Sequence, residues 1–508
     1  MGGHYENDIM KQLQEVMARL DETEQKVEDT KKSWKKEVKE INAKFAVERK
    51  KLKTEIKDLK TELNTVKTEN KELKKKVNTL ENENSKLRSQ QNNDSTNSSL
   101  PPSTDQKGKR ANKYNNREKS IKHRGGQEGH KGTTLSADSI RRKIAEGQLK
   151  HEIIDIGKLD RKYTIRYKVD YRIIPTVTEM RFHEDENGKI HIPKEYRTIV
   201  TYGDTIKAMI VQLYSEGVVS NERICEFVNA LGKNVIELAA GTVYNTINGF
   251  SKKCDAEIEK IITELLSSEV IHTDATVVSV NGKQAYIRNQ STKDAVLYSA
   301  MSKKDIGSIK DKSILDSYNG ILIHDHETAL YNFGTGHGEC NVHLLRYLKK
   351  NTEEAENKWS VKLAKLLTEM NNARKDKLSK NSWFDMSEIE AYEKEYDNII
   401  KQGYKENKKT KSQYAKEYEL TLLNRIEKYK ANHLLFIHDN RVAFDNNMSE
   451  RDLRKCKNRQ KMAGGFRNET GQEMYCKILS VIETCKRKGG KIFEKIIQIF
   501  EKDRPIPA

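Results

Sequence analysis

Residues 271–278, Ile-His-Thr-Asp-Ala-Thr-Val-Val, form an apolar strand pattern interrupted by one carboxylate, Asp274. An Asp runs against strand propensity. Burying its charge is costly unless it is paired or holds a metal. The arrangement recurs at 320–326, Gly-Ile-Leu-Ile-His-Asp-His, where Asp325 sits just past four strand-like residues ending in Ile323. A third acid, Glu450, stands in the run Asn446-Asn447-Met448-Ser449-Glu450-Arg451-Asp452-Leu453-Arg454, which reads as a helix. Two strand-end aspartates and a helix glutamate are the ligand set of a two-ion phosphoryl-transfer site. Hard oxygen donors suit Mg²⁺, and paired ions stabilise both the attacking and the leaving oxygen. From spacing alone, three unrelated surface acids are the competing reading.

The surroundings of Glu450 are cationic: Arg451, Arg454, Lys455, Lys457, Arg459 and Lys461 follow it. Arg454 is one turn beyond Glu450 and shares its helix face, so Arg451 and Arg454 are candidate contacts to DNA phosphates. The whole chain is basic, with net charge +18. That favours a polyanionic partner, most plausibly double-stranded DNA, although a host with generally basic proteins would look the same. Six cysteines occur without a Cys-x-x-Cys pair, which fits a reducing cytosol better than a disulfide scaffold. No apolar run approaches the ~18 residues of a membrane span. The first residues lack the apolar stretch of a secretion signal.

The acids need a scaffold, and 266–350 supplies its first part. One strand carries Asp274 and ends at an Asn281-Gly282 hairpin turn. Strands at 284–288 and 295–300, a helix at 305–315 and a fourth strand leading to Asp325 follow. This is the α/β order of a ribonuclease-H-like core, in which the first and fourth strands are neighbours. Cys340-Asn341-Val342-His343 then opens a helix. A Cys-x-x-His pair can be half of a zinc site, but no second pair at ligand spacing follows, so packing and hydrogen bonding are favoured. Residues 351–432 read as an all-α insertion. The second part of the core, 433–508, has a short strand at 434–437, the Glu450 helix stopped by Gly464-Gly465, and two closing helices.

Upstream, residues 1–91 read as a long coiled coil, free of glycine and proline from 6 to 91. Leu52, Ile56, Leu59, Leu63, Val66, Leu73, Val77, Leu80 and Leu87 trace its seam. Asn70 and Asn84 lie on that seam, where polar residues favour a parallel dimer in register. A single solvated helix is the alternative. Residues 92–135 form a flexible basic linker. Its Lys109, Arg110, Arg124 and Lys131 are candidate DNA contacts, for a mobile cationic arm can follow a phosphate backbone; a merely solvated linker competes. Residues 136–200 read as a small β-rich module with strands at 163–169 and 176–182 and an Asn187-Gly188 turn. Residues 201–265 are helical, with Asp204 and Ser220 as caps. Their spacing is compatible with a helix-turn-helix DNA-binding region and equally with ordinary helix packing.

These motifs together resemble the insertion-sequence-66 type of DDE transposases. Asn97-Ser98-Ser99-Leu100-Pro101-Pro102-Ser103-Thr104-Asp105 is similar to the family's linker. Gly125-Gly126-Gln127-Glu128-Gly129-His130 is similar to its Gly-Gly-Gln-Pro-Gly-His motif, with Glu128 in place of proline. The Asp274 and Asp325 strands, Cys340/His343 and Asp445-Asn446-Asn447-x-x-Glu450-Arg451-x-Leu453-Arg454 fall in family order. The resemblance implies a ribonuclease-H-like core with an α-helical insertion, and DNA strand cleavage and transfer of a bacterial insertion sequence. It also implies two Mg²⁺ or Mn²⁺ ions held by Asp274, Asp325 and Glu450. A homodimer, accessory transposition proteins and a cytoplasmic, nucleoid-associated location go with that reading. A catalytically inactive DNA-binding scaffold and a nuclease without strand transfer are the competing classes. The chain departs from the family in two ways: residues 133–198 contain no cysteine where members carry a zinc-binding segment, and the coiled coil is longer.

Overall fold

The computed structural model describes residues 3–94, 97, 135–156, 162, 164–193 and 196–501. They fall into two units, one ending at Gln91 and one beginning at Asn92. The first is a single helix, α1 (Gly3–Asn92), of 90 residues, about 135 Å long at the helical rise. Its seam residues Leu52, Ile56, Leu59, Leu63, Leu73, Val77, Leu80 and Leu87 are all exposed in the lone chain.

The second unit opens with α2 (Ala137–Ala145), whose first turn is capped by the Ser136 hydroxyl accepting the Ser139 N–H. Among the described residues the expected strands of the β-rich module are not formed. Among the described residues of 136–200 the only strand-like pairing is an isolated bridge, Glu184 to Ile190. It spans the Asn187-Gly188 turn, where Gly188 has φ +72°. Ile165, Val169, Ile174 and Val177 are exposed. Strand propensity is realised only when a neighbouring strand or a packed face receives it, and here none of the described residues does so.

Helices α3 (Asp204–Ser215), α4 (Asn221–Leu231), α5 (Ala240–Lys253) and α6 (Asp255–Leu266) follow. Ser220 caps α4 through the Arg223 N–H, as expected. Asp204 is not a cap: Gly203 holds that position, and Asp204 is the first helical residue, 3.5 Å from Lys207.

A five-stranded sheet among the described residues has the order β3-β2-β1-β4-β5. Strands β1 (Val270–Val280), β2 (Lys283–Ser291) and β3 (Val296–Met301) are antiparallel. The β1–β2 turn is Asn281-Gly282, with φ of +50° and +73°, the two left-handed residues of a tight hairpin. Helix α7 (Ile306–Lys312) is capped by Asp305 and ends at Ser313, shorter than expected, with a 3-10 turn over Ile314–Ser317. Strand β4 (Ile321–His324) then runs parallel to β1, and β5 (Gly336–Glu339) parallel to β4. β5 was not expected, because Gly-His-Gly-Glu carries no strand signal; pairing with β4 makes it a strand. At the opposite edge, the outward N–H groups of Val296 and Tyr298 donate to Thr484 Oγ1 (3.0 Å) and Ser480 Oγ (2.8 Å). Those hydroxyls close an edge that would otherwise be open to pairing.

Helices α8 (Asn341–Ala355), α9 (Trp359–Ser379), α10 (Met386–Asn407), α11 (Gln413–Lys428) and α12 (Lys430–His438) form the insertion. Residues 434–437 are therefore helical, not a strand. Leu434, Phe436 and Ile437 are all buried, and a short apolar run does not distinguish a buried helix turn from a strand. Helices α13 (Asn447–Ala463), α14 (Glu469–Arg487) and α15 (Ile492–Glu501) close the chain. Two apolar cores share the sheet. Ile271 and Leu322, register partners, belong to one with Ile210, Phe250 and Tyr475. Ile323 belongs to the other with Leu344, Trp359, Leu423 and Phe436. Alternate residues of β4 thus serve opposite faces, as the two-residue strand period requires. Among the described residues no helix is long and apolar enough to cross a membrane.

Candidate active site

The register His272 to Ile323 between β1 and β4 puts Asp274 level with Asp325 if it is continued by two residues. Side chains two apart share a strand face, which puts Asp274 on the face of His272; Asp325 lies one residue past the end of β4. Asp274 is partly buried, and its carboxylate accepts the Ala275 N–H at 2.6 Å. Burial first, and the charge of Asp325 second, push Asp274 up to about 6; Lys304 and Arg288 oppose the rise. For Asp325 burial also works upward. The adjacent His343 outweighs it and holds the carboxyl below its ordinary value.

His343 is the side chain that joins the acids. It projects from the first turn of α8, is buried, and places Nδ1 3.0 Å from Asp325 Oδ1. Its Nε2 lies 4.0 Å from Glu450 Oε1 and 3.2 Å from Arg346 Nη1. Burial would lower its pKa, but Asp325 and Cys340 raise it to about 11. The three predicted acids lie in one neighbourhood, Asp274 within electrostatic reach of Asp325 and Glu450 beside His343, but among the described residues their carboxylates do not form a group with oxygens within 4.8 Å of one another.

Glu450 owes its position to α13 being fixed to β1 at both ends. At the start, buried Asn446 donates from Nδ2 to the Thr273 carbonyl at 2.9 Å. Its Oδ1 lies 3.1 Å from His272 Nδ1, and its backbone N–H donates to Cys340 Sγ at 3.3 Å. At the far end, the Phe466 N–H donates to the Ser279 carbonyl at 2.7 Å and the Asn281 N–H to the Phe466 carbonyl at 2.8 Å. Gly465 makes that return possible. It has φ +130°, and a Cβ there would lie 2.5 Å from the Ser279 oxygen. Between the ends, Asp452 accepts from Ser291 Oγ at 2.8 Å, from Asn289 Nδ2 at 3.2 Å and from Arg487. Asn289 Oδ1 in turn accepts the Asp274 N–H at 3.0 Å.

The cations divide into two groups. Arg451, Arg454, Lys457 and Lys461 are exposed on α13. Lys455 and Arg459 are not free for a ligand: Lys455 pairs with Glu216 and Glu483, and Arg459 lies over the rings of Tyr214 (4.4 Å) and Tyr475 (4.6 Å). These two share the inward stripe of α13 with Asp452 and Cys456, which a count of charges does not reveal. Arg288 and Lys304, absent from the sequence reading, approach Asp274 and are both paired with Glu327. Lys109, Arg110, Arg124 and Lys131, with the Gly-Gly-Gln run, lie outside the described residues.

A second buried network anchors the insertion beside Asp325. Glu339, at the end of β5, is ion-paired with Arg425 of α11 at 2.9 Å and lies 3.1 Å from His433 of α12. It also lies 3.1 Å from His326 and accepts from Tyr331. Burial opposes its charge, yet these donors hold it far below the usual carboxylate range.

Asp274, Asp325 and Glu450 fit hard divalent ions such as Mg²⁺. They offer oxygen donors, two of them crowd each other's charge, and Asp325 Oδ1 is buried without a well-directed hydrogen bond. A family model described as "Transposase IS66 family" matches residues 200–474, more than half of the chain. The chain belongs to the IS66 transposase family. The matched span holds all three acids, His343 and Asn446 of this IS66-family chain. A second model, a family of unknown function (DUF6444), matches residues 42–136, from the middle of α1 into the basic segment. No curated protein matches the chain.

Proposed function

We propose that this IS66-family chain is a DNA transposase that cuts strands at the ends of a mobile element and joins them to target DNA. Asp274, Asp325 and Glu450 are its divalent-ion ligands. The observation that supports this reading is the placement of the acids: Asp274 and Asp325 follow the paired residues of neighbouring parallel strands, and His343 reaches from Asp325 toward Glu450. The strand order β3-β2-β1-β4-β5, with an insertion before the Glu450 helix, supports a ribonuclease-H-like core.

Two Mg²⁺ or Mn²⁺ ions, when bound, supply an activated water or DNA 3′-hydroxyl and charge compensation at the departing oxygen. The side chains do the rest. His343 keeps Asp325 ionised and aimed. Asp274, pushed up only to about 6, is ionised at neutral pH and offers its carboxylate. Asn446 holds Glu450 in register with β1. Arg451 and Arg454 bind phosphates along α13, and Lys109, Arg110, Arg124 and Lys131 extend that contact. Helices α3 to α5 serve as a helical DNA-binding region of helix-turn-helix type. No covalent protein–DNA intermediate is required. The exposed seam of α1 pairs two copies in parallel, so that two element ends meet in one complex with any accessory proteins in the bacterial cytoplasm.

The test is strand cleavage and joining on DNA bearing the element's own ends, found as inverted repeats flanking the coding sequence. Metal-dependent joined products, lost in Asp274→Ala, are expected. Cut but unjoined products would make the chain a nuclease. Binding without products in either Mg²⁺ or Mn²⁺ would make it a scaffold.

A further inference from the structure

Cys340 takes no part in the scheme above, yet it is placed as a ligand. It is the N-cap of α8, and His343 projects from the first turn of the same helix. Asp325 reaches them from the end of β4. Among the described residues these three form the one group of potential ligands whose donor atoms lie within 4.8 Å of one another. Cys340 and His343 are 3 % and 7 % exposed.

Three further observations point to a cation at their centre. Nδ1 of His343 and Oδ1 of Asp325 are 3.0 Å apart, yet neither atom makes a well-directed hydrogen bond. That separation matches two ligands on one ion at bonds of about 2.0–2.1 Å. Cys340 Sγ accepts the Asn446 N–H at 3.3 Å and sits at the positive end of a 15-residue helix. Both arrangements favour a thiolate, whereas burial pushes the thiol up, so that the unmetallated sulfur keeps its proton. Glu450 Oε1, 4.0 Å from Nε2, is an acceptor for the N–H that a metal on Nδ1 leaves on the other nitrogen, the usual outer partner of a ligating histidine.

We propose that Asp325, Cys340 and His343 form a soft-donor site for a Zn²⁺-class ion, distinct from the hard-oxygen site and sharing Asp325 with it. Thiolate and imidazole select Zn²⁺ over Mg²⁺. Binding releases the Cys340 thiol proton and the Nδ1 proton of the His343 imidazolium to solvent, and the remaining Nε2 proton faces Glu450. Three protein ligands leave a fourth position open. Resting on the transposase reading, the shared Asp325 makes Zn²⁺ an inhibitor of Mg²⁺-dependent cleavage.

The test titrates the full chain with Co²⁺ and reads the thiolate-to-cobalt charge-transfer absorption. One equivalent should give the band, and Zn²⁺ should abolish it. Cys340→Ser and His343→Ala should each weaken binding by about 100-fold or more, whereas Cys456→Ser and Asp274→Asn should keep the band. Its absence, or its persistence in Cys340→Ser, overturns the site. Should those variants not fold, X-ray absorption on the Zn²⁺-loaded wild type decides: a single sulfur at about 2.3 Å is expected, and a shell of nitrogen and oxygen alone overturns it. Cleavage in Mg²⁺ with and without one equivalent of Zn²⁺ then tests inhibition. Cleavage without the cobalt band removes this site and leaves the transposase reading. The band without cleavage under any metal does the reverse.

Discussion

The side-chain amide of Asn446 donates to the backbone carbonyl of Thr273 at 2.9 Å, one residue before Asp274 and four before Glu450. One buried amide thus sets the distance between a strand acid and a helix acid that lie far apart in sequence. Replacing it by Ala strands the Thr273 carbonyl and the His272 ring nitrogen in a buried site, which costs about 1–3 kcal/mol. Asn446→Ala should therefore lower the melting temperature and reduce cleavage far more than DNA affinity. Equal loss of both would refute a positioning role.

Asp274 offers a test by pH. Its carboxyl is pushed up to about 6 by burial and then by Asp325, against about 3.9 when unfolded. Between those values the folded chain holds a proton that the unfolded chain has released. Stability therefore falls as pH rises through the window, and the deficit is complete above pH 6. In chelator, Asp274→Asn should raise the melting temperature at pH 8 and have little effect at pH 4. An equal shift at both pH values would show that charge is not the cause.

Glu339 is nearly fully buried, and partners from α11, α12 and the segment after Asp325 surround it. Breaking such a pair from one side costs about 3–5 kcal/mol because the other charge is left buried. Glu339→Gln should destabilise by that order in denaturant titration. Adding Arg425→Met should recover part of the loss; strict additivity of the two changes would count against the pair.

Arg451 and Arg454 are exposed on the Glu450 helix. Each phosphate contact contributes about 0.9 to the slope of log affinity against log salt. Replacing both with Ala should flatten that slope by up to about 2 and weaken binding to any sequence. An unchanged slope places the phosphate contacts elsewhere.

The seam of α1 predicts association. Residues 1–91 form their own unit, so this segment can be studied alone. It should sediment as a dimer at micromolar concentration. Asn70→Leu with Asn84→Leu should raise its thermal stability and loosen the choice of oligomer. A monomer with concentration-independent helicity would sink the coiled-coil reading.

Local rules settled much of this protein from the sequence alone. The absence of glycine and proline from 6 to 91 made that stretch one helix. Asn281-Gly282 set the hairpin, and Ser220 and Asp305 set two helix starts. The apolar runs around Asp274 and Asp325 marked the strands that carry the acids. Each of these depends on residues within a few positions of one another. Tertiary structure decided the rest. β5 is a strand only because β4 pairs with it, and 434–437 is a helix because the insertion core receives it. The alternating residues of 164–182 join no sheet where no described partner strand covers them. The same holds at the site. His343, Asn446, Glu327 and Glu339 gain their roles from neighbours distant in sequence, while Lys455 and Arg459 lose theirs by facing inward. A side chain's type is written in the chain, but its burial, charge state and partners are properties of the packing around it.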